Sequence, residues 1–116
     1  MNVEELREYC LSLGDVTEKM PFGRFAARYD SILVFYVEGH MFCLFDIDDF
    51  SSVNVRSTPG EMDELRARYD SVGTPVNRAM CYWVEIQTGG DVADAVIYSL
   101  VRRAYEIVRD RYRKKR

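Results

Sequence analysis

Ile32-Leu33-Val34-Phe35-Tyr36-Val37-Glu38-Gly39-His40-Met41-Phe42-Cys43-Leu44-Phe45 is the stretch on which the fold turns. Two apolar runs flank Glu38-Gly39, and a two-residue link of that kind favours a tight hairpin. The reading is a pair of antiparallel strands, Ile32–Val37 and His40–Phe45. Both runs are apolar at nearly every position, whereas a sheet with one wet face alternates. If helices cover only one face, the other exposes Val, Phe, Tyr or Met side chains. The middle helix or a partner, a second copy included, is then expected to shield it.

Working outward, Arg24–Tyr29 reads as a strand joined to Ile32–Val37 by Asp30-Ser31. Asp46–Phe50 is a polar loop, and Ser52–Arg56, with β-branched Val53 and Val55, is a fourth strand. A first helix is capped by Asn2 with Glu5 three residues on, places Leu6, Tyr9, Cys10 and Leu13 on one face, and exits at Gly14. A second helix starts at Thr58-Pro59 with Glu61 completing the box, and Met62, Leu65 and Tyr69 form its apolar stripe. Ser71–Pro75 connects it to a strand over Met80–Gln87, which ends at Gly89-Gly90. The last helix opens at Asp91, with Asp94 in the box position, and buries Val92, Val96, Ile97, Leu100, Val101, Ala104, Tyr105 and Val108. The order α-β-β-β-β-α-β-α predicts an α+β fold in two layers. An antiparallel sheet of about five strands carries the terminal helices, and residues 1–116 form one domain.

The net charge of −3 conceals an uneven distribution. Residues 1–101 hold 8 basic and 17 acidic side chains, whereas residues 102–116 hold 8 basic and 2 acidic. An acidic body therefore ends in a basic pole, with 109–116 as a basic tail. Such a pole could contact phosphate; the reading favoured by the residues alone is arginines offsetting a helix dipole ahead of a solvated tail. Cys10, Cys43 and Cys81 lie far apart within apolar runs, so three buried thiols in a reducing cytoplasm are expected. The acidic start Met1-Asn2-Val3-Glu4-Glu5 is unlike a signal peptide, and no apolar run approaches the length of a membrane span.

Enzyme chemistry finds little support. His40, the single histidine, follows a turn glycine and has no marked nucleophile partner. Asp46, Asp48 and Asp49 cluster in a loop that lacks the glycine and distal glutamate of a calcium loop. Gly89-Gly90 precedes a helix but lacks the Walker lysine and the three-glycine spacing. The expectation is no catalytic residue, no metal ligand, no cofactor and no small-molecule substrate. Arginines interleaved with aromatics, which suit base stacking, occur at Arg24–Tyr29 and Arg78–Trp83, with Trp83 itself expected in the core.

Several stretches, in order and spacing, carry a resemblance. They are Glu5-Leu-Arg-Glu-Tyr-Cys-Leu-Ser-Leu13, Pro21-Phe22-Gly23, Met41-Phe-Cys-Leu-Phe45, Ser52-Val-Asn-Val-Arg-Ser-Thr-Pro-Gly-Glu61, Leu65-Arg-Ala-Arg-Tyr69 and Val76-Asn-Arg-Ala79. Together they resemble the MmcQ/YjbR family of small bacterial proteins. The resemblance implies a compact α+β arrangement like those of frataxin and secretion chaperones, and a DNA-binding role through a double-wing motif. The family's basic residue before the helix start falls on Arg56, and its Asn-Lys pair falls on Asn77-Arg78. Where the family shows His-Trp, this chain has Met80-Cys81, and Trp83 comes two residues later.

Two functions follow as expectations. In the first, a non-enzymatic protein binds DNA, with Arg56, Asn77, Arg78, Arg109, Arg113 and Lys114 at phosphates and hairpin turns as wings. It requires Arg24, Arg28, Arg56, Arg78 and the C-terminal arginines to meet on one face. In the second, the apolar outer sheet face serves a homodimer or a protein partner, without nucleic acid.

Overall fold

The computed structural model describes residues 1–24, 26–75 and 79–113. Helix α1 (Val3–Ser12) starts where Asn2 accepts the Glu5 N–H at 2.9 Å. It is followed by Gly14 at φ +103°, the left-handed region that costs glycine least. Among the described residues six strands follow: β1 (Thr17–Lys19), β2 (Ile32–Val37), β3 (His40–Asp46), β4 (Ser52–Arg56), β5 (Val72–Gly73) and β6 (Trp83–Gln87). Helix α2 (Pro59–Arg68) lies between β4 and β5, and α3 (Asp94–Tyr112) follows β6. The strands form one antiparallel sheet in the order β1-β2-β3-β4-β6-β5. The α+β reading holds, with one more strand than expected.

The β2–β3 hairpin closes through Glu38 and Gly39 at φ +52° and +75°. Two successive positive φ values define a type I′ turn, whose twist matches that of the strands. Farther along, a bulge sets Phe35 against Cys43 and Tyr36 against Met41. Phe42 is the extra residue, so Phe42 and Cys43 both reach the core, each wholly buried.

Helix α3 packs across β3 and β4. Tyr105 meets Phe42 edge-on at 5.5 Å and donates its hydroxyl to the Gly14 carbonyl at 2.8 Å. Met62, Leu65 and Tyr69 of the α2 region join this helix-side core, so α2 does not shield the opposite face. That far face has its own apolar cluster of Val34, Leu44 and Trp83, onto which Phe22 and Met80 fold from the loops before β2 and β6. Loops, not a helix, cover it.

That requirement explains where the chain departs from its sequence reading. The described residues of the expected strand at 24–29 form none; Ala27–Tyr29 is a 3-10 turn, residue 25 lies outside the described residues, and the edge strand is Thr17–Lys19. Phe22 is drawn to the far face, Gly23 packs so close to Asp30 that a Cβ would lie 3.0 Å from the Asp30 Cβ, and the loop bonds locally through Tyr29 N–H to Ala26 O at 2.9 Å. Strand β6 starts at Trp83 because residues 81 and 82 form a turn closed by Trp83 N–H to Met80 O at 3.1 Å. That turn leaves Cys81 exposed, correcting the expectation of three buried thiols; Cys10 and Cys43 are buried, and burial pushes the Cys43 thiol well up. Helix α3 begins at Asp94, not Asp91. The Asp91 carboxylate instead accepts the N–H groups of Asp70 at 2.7 Å and Ser71 at 2.8 Å, tying two chain segments together. Among the described residues no helix is long and apolar enough to cross a membrane.

Candidate nucleic-acid interface

The tip of the β2–β3 hairpin has a different neighbour on each side. On one side the His40 ring stacks on Tyr112, the last residue of α3, with centroids 3.4 Å apart and planes 9° from parallel. The Arg111 guanidinium lies 5.6 Å from the Tyr112 ring centroid, and exposed Arg113 follows as the helix cap. On the other side Gly39 lines an open cleft of about 460 Å³ with Thr17, Lys19, Pro21, Arg24 and Tyr36.

Strand register builds that cleft. Thr17 pairs with Tyr36 and Lys19 with Val34, so Lys19 and Tyr36 share the far face. Lys19 Nζ lies 5.7 Å from the Tyr36 ring centroid, within cation–π range. Burial pushes the half-buried Tyr36 phenol up from its ordinary value. The loop from β1 to β2 returns Pro21 and Arg24 to the same opening while Phe22 anchors it.

Of the residues expected at phosphates, Arg56 ends β4 opposite Trp83 and therefore faces the far side. Its Nη1 donates to the carbonyls of Ser57 at 3.0 Å and Tyr82 at 3.3 Å, and its guanidinium lies 5.0 Å from the Tyr82 ring centroid. Arg109 lies on the helix side, its Nε donating to Asp110 at 3.0 Å and its guanidinium 5.4 Å from the Tyr105 ring centroid. The Asp110 hydrogen bond raises the Arg109 pKa. Arg56 and Arg109 are thus separated by the sheet, so these arginines do not meet on one face as expected; Arg113 directly follows Tyr112 at the end of α3. Asn77, Arg78 and Lys114 lie outside the described residues. Arg28, in the loop before β2, bonds the Tyr29 hydroxyl at 3.0 Å. Other arginines are held by carboxylates: Arg7 grips Glu18 at 2.7 and 2.9 Å, and Arg103 meets Glu61 at 2.8 Å.

The large apolar side chains exposed on the described surface are Met20 and Tyr29, which flank the loop before β2, Tyr82 beside Arg56, and Tyr112 stacked on His40. Lys19, Tyr36 and the His40–Tyr112 stack escaped sequence reading, whereas Arg111 lies within the expected basic tail. A three-residue edge strand has no periodicity to reveal which way Lys19 points, and the stack joins residues with no local relationship.

The acidic loop is structural. Asp46 Oδ1 accepts the Ser31 hydroxyl at 2.8 Å and the N–H groups of Asp48 and Asp49 at 2.9 and 3.1 Å. Partial burial pushes this carboxyl up, but the three hydrogen bonds outweigh it and hold it below its ordinary value. Among the described residues no group of three or more His, Cys, Asp or Glu side chains is placed to hold a metal ion. A smaller cleft of about 270 Å³ between α2 and α3 is lined by Leu65, Tyr69, Leu100, Arg68 and the Arg103–Glu61 pair.

A family model, YjbR, matches residues 11–107. The chain belongs to the YjbR family. The matched stretch includes Lys19, Arg24, Tyr36, His40 and Arg56 and stops short of Arg109, Arg111 and Arg113. No curated protein matches. Among solved structures, Deinococcus radiodurans protein DR2400, with the family-model domain DUF419, is 27% identical at a TM-score of 0.82, over 98% of this chain and 83% of that one. A Pseudomonas syringae crystal structure is 16% identical at a TM-score of 0.73, over 94% of this chain and 100% of that one. A solution structure from Pseudomonas syringae is 16% identical at a TM-score of 0.69, over 94% of each chain. The YjbR fold is common to these chains.

Proposed function

We propose that this YjbR protein is a non-enzymatic, cytoplasmic nucleic-acid-binding protein, with DNA as its ligand. The observation behind this reading is the hairpin tip, where adjacent residues Gly39 and His40 join the Lys19–Arg24–Tyr36 cleft to the basic end of α3. Cations next to exposed rings match a polymer of phosphates and flat bases. The largely acidic remainder repels phosphate and confines the strand to this track. Arg56 and Tyr82 offer a further contact on the far face, and the type I′ hairpin serves as a wing.

The test is fluorescence anisotropy with labelled DNA at low and moderate salt, on the intact chain and on a chain lacking residues 109–116. Salt-sensitive binding that weakens with the deletion supports the reading. No binding at about 50 mM salt, together with a dimer on a sizing column, overturns it in favour of self-association through the exposed tyrosines.

A further inference from the structure

We infer that the cleft between β1 and the hairpin tip receives an unpaired base, which makes single-stranded nucleic acid the ligand class. This inference rests on the nucleic-acid reading and narrows it. Half-buried Tyr36 lines the opening with Pro21 and Arg24, and Lys19 Nζ lies over its ring, 5.7 Å from the centroid. A duplex keeps its base faces inside the stack and offers only edges in its grooves, where a helix or ribbon reads them. A half-buried ring therefore has nothing to stack on in a duplex, whereas a base splayed from a single strand can enter and lie against it.

The dimensions and surroundings agree. At about 460 Å³ the opening falls in the range of pockets that hold one small molecule. Gly39 leaves one side open, because a Cβ there would meet nothing within 4 Å. Strand β1 is an edge strand, so the chain bearing the base is free to pass along its outer side. Lys19 and Arg24 stand beside the cleft for the flanking phosphates. The neutral phenol of Tyr36 adds a hydrogen-bond donor without repelling the backbone.

The experiment compares anisotropy titrations of one labelled oligonucleotide, single-stranded and annealed to its complement, against the intact chain and against Tyr36→Leu, Tyr36→Phe and Lys19→Ala. The single strand should bind at least about tenfold more tightly than the duplex. Tyr36→Leu should weaken single-strand binding by about five- to a hundredfold, the range for losing one base–aromatic stack, while Tyr36→Phe retains most of it. Lys19 is exposed, so Lys19→Ala provides a variant whose folding is not in question and should weaken single-strand binding without moving Tm. Equal binding of both forms, unchanged by Tyr36→Leu and Lys19→Ala, overturns the base pocket and leaves nucleic-acid binding standing. Binding of neither form overturns both.

Discussion

Four cations flank the hairpin tip: Lys19 and Arg24 at the cleft, and Arg111 and Arg113 at the end of α3. Each phosphate neutralised on a single strand releases counterions worth a slope of about −0.7 in log K against log salt, so four contacts predict a slope near −2.8. Raising salt from about 50 to about 200 mM should then weaken binding roughly fiftyfold. Lys19→Ala removes one contact, which reduces the slope to about −2.1 and the loss to roughly twentyfold. Arg103→Ala is the control, because its guanidinium is bonded to Glu61 on the helix side. It should leave the slope unchanged and, as an exposed pair, cost no more than about 1 kcal/mol of stability. Anisotropy titrations at four or more salt concentrations measure all three slopes. A wild-type slope shallower than about −1, or an Arg103→Ala effect equal to that of Lys19→Ala, would refute the assignment of these cations to phosphate.

Three further outcomes test the scaffold. Gly90→Ala should destabilise the chain by about 2–4 kcal/mol in urea unfolding, because its Cβ would lie 2.8 Å from Ser71 Cβ and closer still to the hydroxyl that accepts the Asp91 N–H. Adding Ser71→Gly should recover part of that loss, and no coupling between the two sites would contradict the clash. Glu38→Asn should stabilise by about 0.5–1 kcal/mol in thermal unfolding, since asparagine tolerates the left-handed conformation at φ +52° better than glutamate. Asp46 has a folded pKa below its ordinary value of 3.8, so its contribution to stability is present above that value and is lost as pH falls through the folded one. The acid limb of urea midpoint against pH should therefore flatten in Asp46→Asn.

Local chemistry made much of the framework legible. The caps at Asn2 and Thr58, the proline at the start of α2, the glycine exit of α1 and the β2–β3 hairpin each depend on residues within one turn of each other. The misreadings came where a distant partner outweighed local preference. Arg24–Tyr29 has the composition of a strand, but its described residues form none, with Phe22 just before them packed on Val34, Leu44 and Trp83. Asp91 looks like a cap and instead holds the backbone of Asp70 and Ser71. The apolar excess of β2 and β3 correctly signalled two buried faces, but not that loops would cover the second.

For the candidate site, sequence alone determined the inventory: a basic end, an acidic body, and two segments that mix arginine with aromatic residues. Tertiary structure decided which of these meet. Lys19 and Tyr36 share a face only through the β1–β2 register, and the end of α3 reaches the hairpin only because Tyr105 and its neighbours dock that helix across the sheet. Strand side chains alternate sides at every residue, so a shift of one position would turn Lys19 away from Tyr36. No property confined to a single segment specifies that alignment.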